Sequence, residues 1–168
     1  MSGTAQGVQT LKGQRVANVV VRGLLRVPGL SHVIGRRLVT LYVVGRRTGR
    51  RYAIPVAYER EGPHILVGTP FAWARNLRTG DTIAVQLQGR RRRCDVEVLV
   101  SEADVVAAYA RMARANPAFA KFNRIRRGDD GEPDAEDLRS AWRAGARVLR
   151  LTPRTDVEKP SDAPGATP

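Results

Sequence analysis

Short apolar segments rich in β-branched residues follow one another between residues 38 and 100, and glycine-containing turns separate them. The segments with the length and composition of strands are residues 38–44, 51–58, 64–67, 82–88 and 93–100. The turns that join them as antiparallel hairpins are residues 45–49, 61–62 and 88–90. Because consecutive hairpins build an antiparallel sheet, this pattern predicts a closed or nearly closed β-barrel. Pro55 predicts that the second strand lies at an edge or carries a bulge.

Helical segments flank the predicted barrel, so the fold class is mainly β with flanking helices (α+β). The other predicted elements are a helical turn at residues 71–78, a helix at 102–115 that Ser101 caps, a short helix from Asn116 to Phe122, a charged loop at 126–137 and a last strand at 147–152.

An amphipathic segment precedes the strands at residues 10–27, with apolar residues on one helical face and basic residues on the other. We expect this helix to pack on the core; the alternative is a helix that lies on an anionic membrane surface. The chain is then a single domain over residues 9–153, with mobile tails at residues 1–8 and 154–168. Both a monomer and a homodimer are compatible with this organisation.

The net charge of +13 indicates a chain that attracts anions, such as nucleic acid, an anionic membrane or a phosphorylated cofactor. Cys94 is the single cysteine, so no internal disulfide can form, and the two histidines, His32 and His64, do not suggest a metal site. No apolar run is long enough to span a membrane, and no secretory signal is evident. We therefore expect a cytoplasmic protein, held at the inner face of the membrane if residues 10–27 bind lipid.

No pattern of residues for self-sufficient catalysis is found in the sequence. Ser-His-acid and Cys-His arrangements lack a supporting motif, and no phosphate-binding glycine loop joins a strand to a helix. Cys94 follows four arginines in a predicted strand and is expected to be a strand residue rather than a nucleophile. An enzyme without its own nucleophile takes its chemistry from a cofactor, so we expect no catalytic side chain and no metal ligand.

Two local features could bind such a cofactor. Arg46, Arg47 and Thr48 lie between two glycines in the first turn, where backbone N–H groups and guanidinium groups could converge on a phosphate. Trp73 lies in the predicted helical turn, and Asn76 could cap that turn or bond a ring carbonyl. Each feature also has an ordinary interpretation, as a solvated hairpin tip and as a plug at the barrel end.

Taken in order and at this spacing, these features resemble the deazaflavin-dependent nitroreductase family. The shared pattern is a strand, a Gly-Arg-Arg-Thr-Gly turn at residues 45–49, Pro55, a strand ending at Gly68, and Trp-x-x-Asn-Leu at residues 73–77. The resemblance covers residues 38–87 and weakens towards residue 152. It implies a split β-barrel of the flavin-reductase and FMN-binding type that binds coenzyme F420, a deazaflavin with a phosphate and an oligoglutamate tail. Reduced F420 would then give a hydride to a quinone, a nitroaromatic compound or another electron-poor acceptor.

The resemblance also implies roles for individual residues. The cofactor-binding positions that it implies are Arg46, Arg47, Thr48, Gly49, Pro55, Gly68, Thr69, Trp73, Asn76 and Leu77. Phe119 aligns with a substrate-side tyrosine of quinone-reducing relatives, and Phe122 competes for that alignment. Loss of the hydroxyl group would slow nitro and quinone reduction, because a phenylalanine donates no hydrogen bond. The alternatives are an FMN-dependent enzyme, an F420- or FMN-binding protein without turnover, and a basic nucleic-acid-binding barrel.

Overall fold

The computed structural model describes residues 37–155, which form seven strands, one 3-10 helix and three α-helices. The strands are β1 (Leu38–Val44), β2 (Arg51–Ala57), β3 (Glu59–Glu61), β4 (His64–Thr69), β5 (Thr82–Leu87), β6 (Arg90–Leu99) and β7 (Arg147–Pro153). The helices are the 3-10 helix Ala72–Asn76, α1 (Glu102–Ala115), α2 (Pro117–Phe122) and α3 (Ala135–Arg143). The predicted helix at residues 10–27, His32, the tail at residues 1–8 and residues 156–168 of the other tail lie outside the described residues.

All seven strands form one antiparallel sheet in the order β2-β1-β5-β6-β7-β4-β3. The sheet curls into a half-barrel, which confirms the prediction of a mainly β, α+β fold of the split-barrel type. Strands β2 and β3 are its edges, so Pro55 lies in an edge strand as predicted. An edge strand suits proline, because it has a neighbouring strand on one side only and can lack an N–H group more easily than a central strand.

The concave face of the sheet encloses the first of two apolar cores. Alternate residues of β1 point inward, and Val39, Leu41 and Val43 are fully buried. Cys94 is also fully buried in this core, which confirms that it is a strand residue. Burial raises the pKa of the Cys94 thiol to about 11, because the thiolate would lose its hydration.

The second core lies between the three α-helices and the outer side of β4 and β7. Tyr109 and Met112 of α1 pack there with Val148 of β7. Gly68 in β4 allows this close approach: a Cβ atom built at Gly68 would lie 2.9 Å from ring carbons of Tyr109 and Phe119 and 3.0 Å from Met112 Sδ. None of the helices between residues 37 and 155 has the length and hydropathy needed to cross a lipid bilayer.

Most predicted elements are confirmed, including helix α1 with its cap, in which Ser101 Oγ accepts the Asp104 N–H. The prediction was wrong at the start of β6, which begins at Arg90 rather than residue 93 because the two-residue turn Gln88-Gly89 pairs Leu87 directly with Arg90. It also missed α3, where residues 135–137 had been placed in the charged loop. Asp134 caps this helix by accepting the N–H groups of residues 136 and 137.

Candidate functional site

The turn after β1 is held by hydrogen bonds between its own backbone groups. The Gly45 N–H donates to the Arg50 carbonyl (2.8 Å), and the Thr48 and Gly49 N–H groups donate to the Gly45 carbonyl (3.3 and 2.8 Å). Gly49 has a φ of +65°, which glycine adopts without steric cost. Because these N–H groups already have acceptors, the expectation that they converge on an oxyanion was wrong. An anion at this turn would be bound by side chains.

Arg46 connects the turn to the 3-10 helix. Its backbone N–H donates to Asn76 Oδ1 (3.0 Å), and its Nε donates to the Asn76 carbonyl (2.8 Å). Its Nη2 forms an ion pair with Asp81 Oδ2 (3.1 Å). Arg46 therefore has a structural role, whereas Arg47, its exposed neighbour, makes no hydrogen bond or ion pair with any described residue.

The 3-10 helix carries Trp73, which packs against the first core and lies near the turn and strand β2. Asn76 Nδ2 donates to the Trp73 carbonyl (3.0 Å), which closes this helical turn as the sequence suggested. The indole ring packs on the first core. The buried indole Nε1 of Trp73 has no hydrogen-bond partner among the described residues. A buried donor without an acceptor is costly, so this N–H is a candidate for pairing with a bound group.

A pocket of about 280 Å³ lies between the turn, strand β2 and the 3-10 helix. We call it the turn pocket. It brings together five of the predicted cofactor residues: Arg47, Thr48, Pro55, Trp73 and Asn76. The remaining lining residues are Gly45, Tyr52, Ala53, Ile54 and Ala72. The pocket is thus mainly apolar, with a cationic side chain and a hydroxyl group at one end.

Three other predicted residues lie on the opposite side of the turn. Arg46, Gly49 and Leu77 line a second pocket of about 530 Å³, together with residues of β1, β5 and β6. Asn76 is shared by the two pockets. The turn therefore separates the predicted set into two groups that face different spaces.

Gly68 and Thr69 do not line either pocket. Gly68 faces α1 and α2, where its missing side chain allows helix and sheet to touch. Thr69 is buried, and its Oγ1 accepts the Phe71 N–H (3.1 Å), which fixes the entry to the 3-10 helix. Both residues thus support the site from behind.

Phe119 and Phe122 also lie away from the turn pocket. The Phe119 ring contacts the Tyr109 ring edge-on, with 5.1 Å between centroids. Phe122 packs on Phe71, with 6.0 Å between centroids. Both phenylalanines therefore connect helix α2 to its neighbours, and neither faces the space beside Trp73.

Sequence reasoning missed Tyr52, Ala53 and Ile54 as lining residues. They immediately precede Pro55 in edge strand β2. Residues on either face of an edge strand can line a pocket beside it. Tyr52 could have been found from the scarcity of aromatic residues, which make up 5% of the chain. The ion pair of Arg46 with Asp81 had no sequence signal, because 35 residues separate the partners.

Comparisons with known proteins found no matching family model and no matching curated protein. A crystal structure described as conserved hypothetical protein Rv2991 from Mycobacterium tuberculosis is similar over 99% of both chains, at 12% sequence identity and a TM-score of 0.43.

Proposed function

We propose that this protein is an F420-dependent oxidoreductase of the deazaflavin-dependent nitroreductase type, which reduces an electron-poor small molecule. One observation carries the proposal: a basic side chain, a hydroxyl group and a tryptophan border one largely apolar pocket beside an edge strand. A flat ring system with an anionic tail has the complementary distribution of apolar and charged surface.

Arg47 is the residue best suited to the anionic part of the cofactor. Its guanidinium group is exposed and makes no bond with the described residues, so no existing ion pair would have to break on binding. Thr48 next to it can add a hydroxyl contact, although its Oγ1 already accepts the Arg50 N–H at 3.3 Å. Arginine suits phosphate and carboxylate groups, because its donors form a planar fork.

Trp73 is the residue best suited to the ring. It offers an aromatic surface to the pocket and a buried N–H without an acceptor. A carbonyl oxygen of a bound deazaflavin could supply the missing acceptor. The residues present thus fit the cofactor at both ends.

The protein would contribute binding and orientation. Reduced F420, when bound, supplies the hydride. Arg47 and Tyr52 are the only side chains lining the turn pocket that can carry a charge, so the described site has no carboxylate or imidazole to act as acid or base. The apolar walls of β2 would exclude water from the reacting face, and this chain's part in the rate would come from positioning the two reactants.

The test is a fluorescence titration with a variant that isolates Trp73. Trp142, the other tryptophan, lies in α3 and donates to the Val100 carbonyl, outside the pocket. In Trp142→Phe, binding of F420 should therefore quench the remaining emission. The same titration with FMN distinguishes the rival cofactor, and equal or tighter FMN binding contradicts the proposal.

Arg47→Ala should weaken F420 binding by about 1–3 kcal/mol, because one charge-assisted contact is lost. Arg124→Ala is the matched control, since the Arg124 side chain is exposed and makes no hydrogen bond or ion pair with the described residues. Turnover is measured as oxidation of reduced F420 with a panel of quinones and nitroaromatic compounds. Binding without any turnover would reduce the proposal to a cofactor-binding protein.

The rival nucleic-acid reading has less support. Every aromatic residue lies within residues 37–155, and each of them is buried or half-buried. Single-stranded nucleic acid binds by stacking on exposed aromatic rings, in addition to charge.

A further inference from the structure

The charge of the described residues is unevenly divided along the chain. Residues 37–93 contain twelve arginines and three acidic residues, whereas residues 94–155 contain eleven basic and ten acidic residues. Nearly all of the excess positive charge therefore lies on strands β1 to β5, their connections and the first residues of β6. The helical side carries a balanced charge, with ion pairs such as Arg126 to Asp137 and Arg143 to Glu136.

A cavity of about 350 Å³ lies within this basic half, and we call it the arginine cavity. Its lining residues are Arg60, Leu87, Gln88, Arg90, Arg92 and Pro153. It lies at the opposite end of the sheet from the turn pocket, because Val39 near the start of β1 pairs with Leu87. The seven residues of β1 separate the two ends by roughly 20 Å.

The β5–β6 hairpin places two of the three arginines. Gln88 and Gly89 both have positive φ angles (49° and 77°), as in the two-residue turns that suit a twisted antiparallel pair. Strand β6 therefore starts at Arg90, and Arg90 and Arg92 project from the same face because side chains alternate. Arg91 projects from the other face, where its guanidinium group lies over the Tyr42 ring at 4.7 Å.

The three arginines of the cavity lack counter-charges. Arg60, Arg90 and Arg92 are exposed, and their side chains make no hydrogen bond or ion pair with any described residue. The acidic neighbours of Arg60 in the chain are already occupied: Glu59 pairs with Arg37, and Glu61 pairs with Arg150. No acidic residue between positions 37 and 155 lines the cavity. Three guanidinium groups therefore border one concave space without neutralisation inside the described fold.

We propose that the arginine cavity is a second anion-binding site, which holds a phosphate group carrying two or more negative charges. Forked guanidinium donors match the tetrahedral oxygens of a phosphate, and the Gln88 amide can add a further donor. The group can come from a free phosphorylated compound or from a phosphomonoester lipid headgroup. The concave shape and the lack of an aromatic lining residue favour a compact phosphate over a single-stranded nucleic acid.

The test compares two double variants that remove the same charge. Arg60→Gln with Arg92→Gln alters the cavity, and Lys121→Gln with Arg124→Gln removes two exposed basic residues from the helical side. Calorimetric titration with inorganic pyrophosphate measures the affinity of each protein for a free phosphate compound. Flotation with phosphatidylcholine vesicles that contain phosphatidate measures binding to a lipid headgroup. Vesicles that contain phosphatidylserine are the comparison, because that headgroup is also anionic but has no phosphomonoester.

The cavity variant should bind pyrophosphate at least about tenfold more weakly than the wild type, and the helical-side variant should bind like the wild type. If only the cavity variant fails to float with phosphatidate vesicles, the ligand is a lipid headgroup. If the cavity variant still floats with them, the ligand is a free phosphorylated compound. Equal weakening in both double variants, or no weakening in the cavity variant, overturns the site. Circular dichroism checks that the cavity variant is folded, and unchanged F420 titration of that variant separates this site from the turn pocket.

Discussion

Arg46 binds Asn76 twice, through its backbone N–H to the side-chain oxygen and through its Nε to the backbone carbonyl. Residues 30 positions apart in the chain are thus joined at the wall that separates the two pockets. This contact explains why two adjacent arginines of one turn have different roles. Arg46 fixes the turn to the 3-10 helix, and Arg47 is left to face a ligand.

Arg46→Ala should lower the thermal stability of the protein. The substitution leaves the Asn76 carbonyl without its donor and removes the ion pair with Asp81, at a cost of about 1 kcal/mol because the pair is partly exposed. Thermal unfolding followed by circular dichroism measures the change. Arg47→Ala is the control, since its side chain makes no such bonds and its melting temperature should stay at the wild-type value. Identical melting of the two variants would show that the Asn76 contact does not stabilise the fold.

Asp137 should make the stability of the protein depend on acid pH. Arg126 donates to its carboxylate from Nε, Nη2 and the backbone N–H, and these bonds lower its pKa to about 2. A depressed pKa contributes stability that is present above the unfolded value, near 4, and lost as the pH falls towards 2. The difference in melting temperature between the wild type and Asp137→Asn should therefore shrink as the pH falls from about 4 to about 2. Asp129→Asn, at an exposed residue of the loop that precedes α3, should show no such difference at any pH.

Cys94 should resist alkylation in the native protein. The thiol is buried in the barrel, and its raised pKa of about 11 keeps it protonated at mildly alkaline pH. Iodoacetamide labelling measured by mass spectrometry should be slow until the protein is denatured. Rapid labelling of folded protein would mean that the barrel opens at this strand.

The same pKa gives a second expectation for alkaline pH. The folded protein holds the thiol proton more tightly than the unfolded chain does. Its contribution to the free energy of unfolding is therefore fully present below the unfolded pKa, about 9, and is lost as the pH rises through about 11. Compared with Cys94→Ala, the wild type should lose stability more steeply between these values. Parallel slopes for the two proteins would contradict the burial of the thiol.

The sequence predicted the strands well because their pattern is local. Alternating burial in β1 and the glycine turns can be read from neighbouring residues, and so can the Ser101 cap of α1. Helix α3 was missed because Asp134 follows a run of charged and glycine residues that resembles a loop. Its cap was nevertheless present as an aspartate three residues before Asp137, whose N–H it accepts.

The candidate site was only half predictable, for a physical reason. The order of motifs identified Arg47, Thr48, Pro55, Trp73 and Asn76, which the fold brings to one pocket. The side of the sheet to which a residue points depends on register and curvature, which no single motif contains. Sequence reasoning therefore could not show that Arg46 and Arg47 face different pockets, or that Gly68 faces helices α1 and α2.

The contact at Gly68 has a consequence for how this sequence can diverge. A Cβ atom at residue 68 would collide with Tyr109, Met112 and Phe119, so the volume of that space is shared by four positions on three elements. A larger residue at position 68 can be accepted only when one of the other three becomes smaller. Among homologues, we therefore expect these four positions to vary together, and alanine or serine at position 68 to accompany a shorter side chain at position 119.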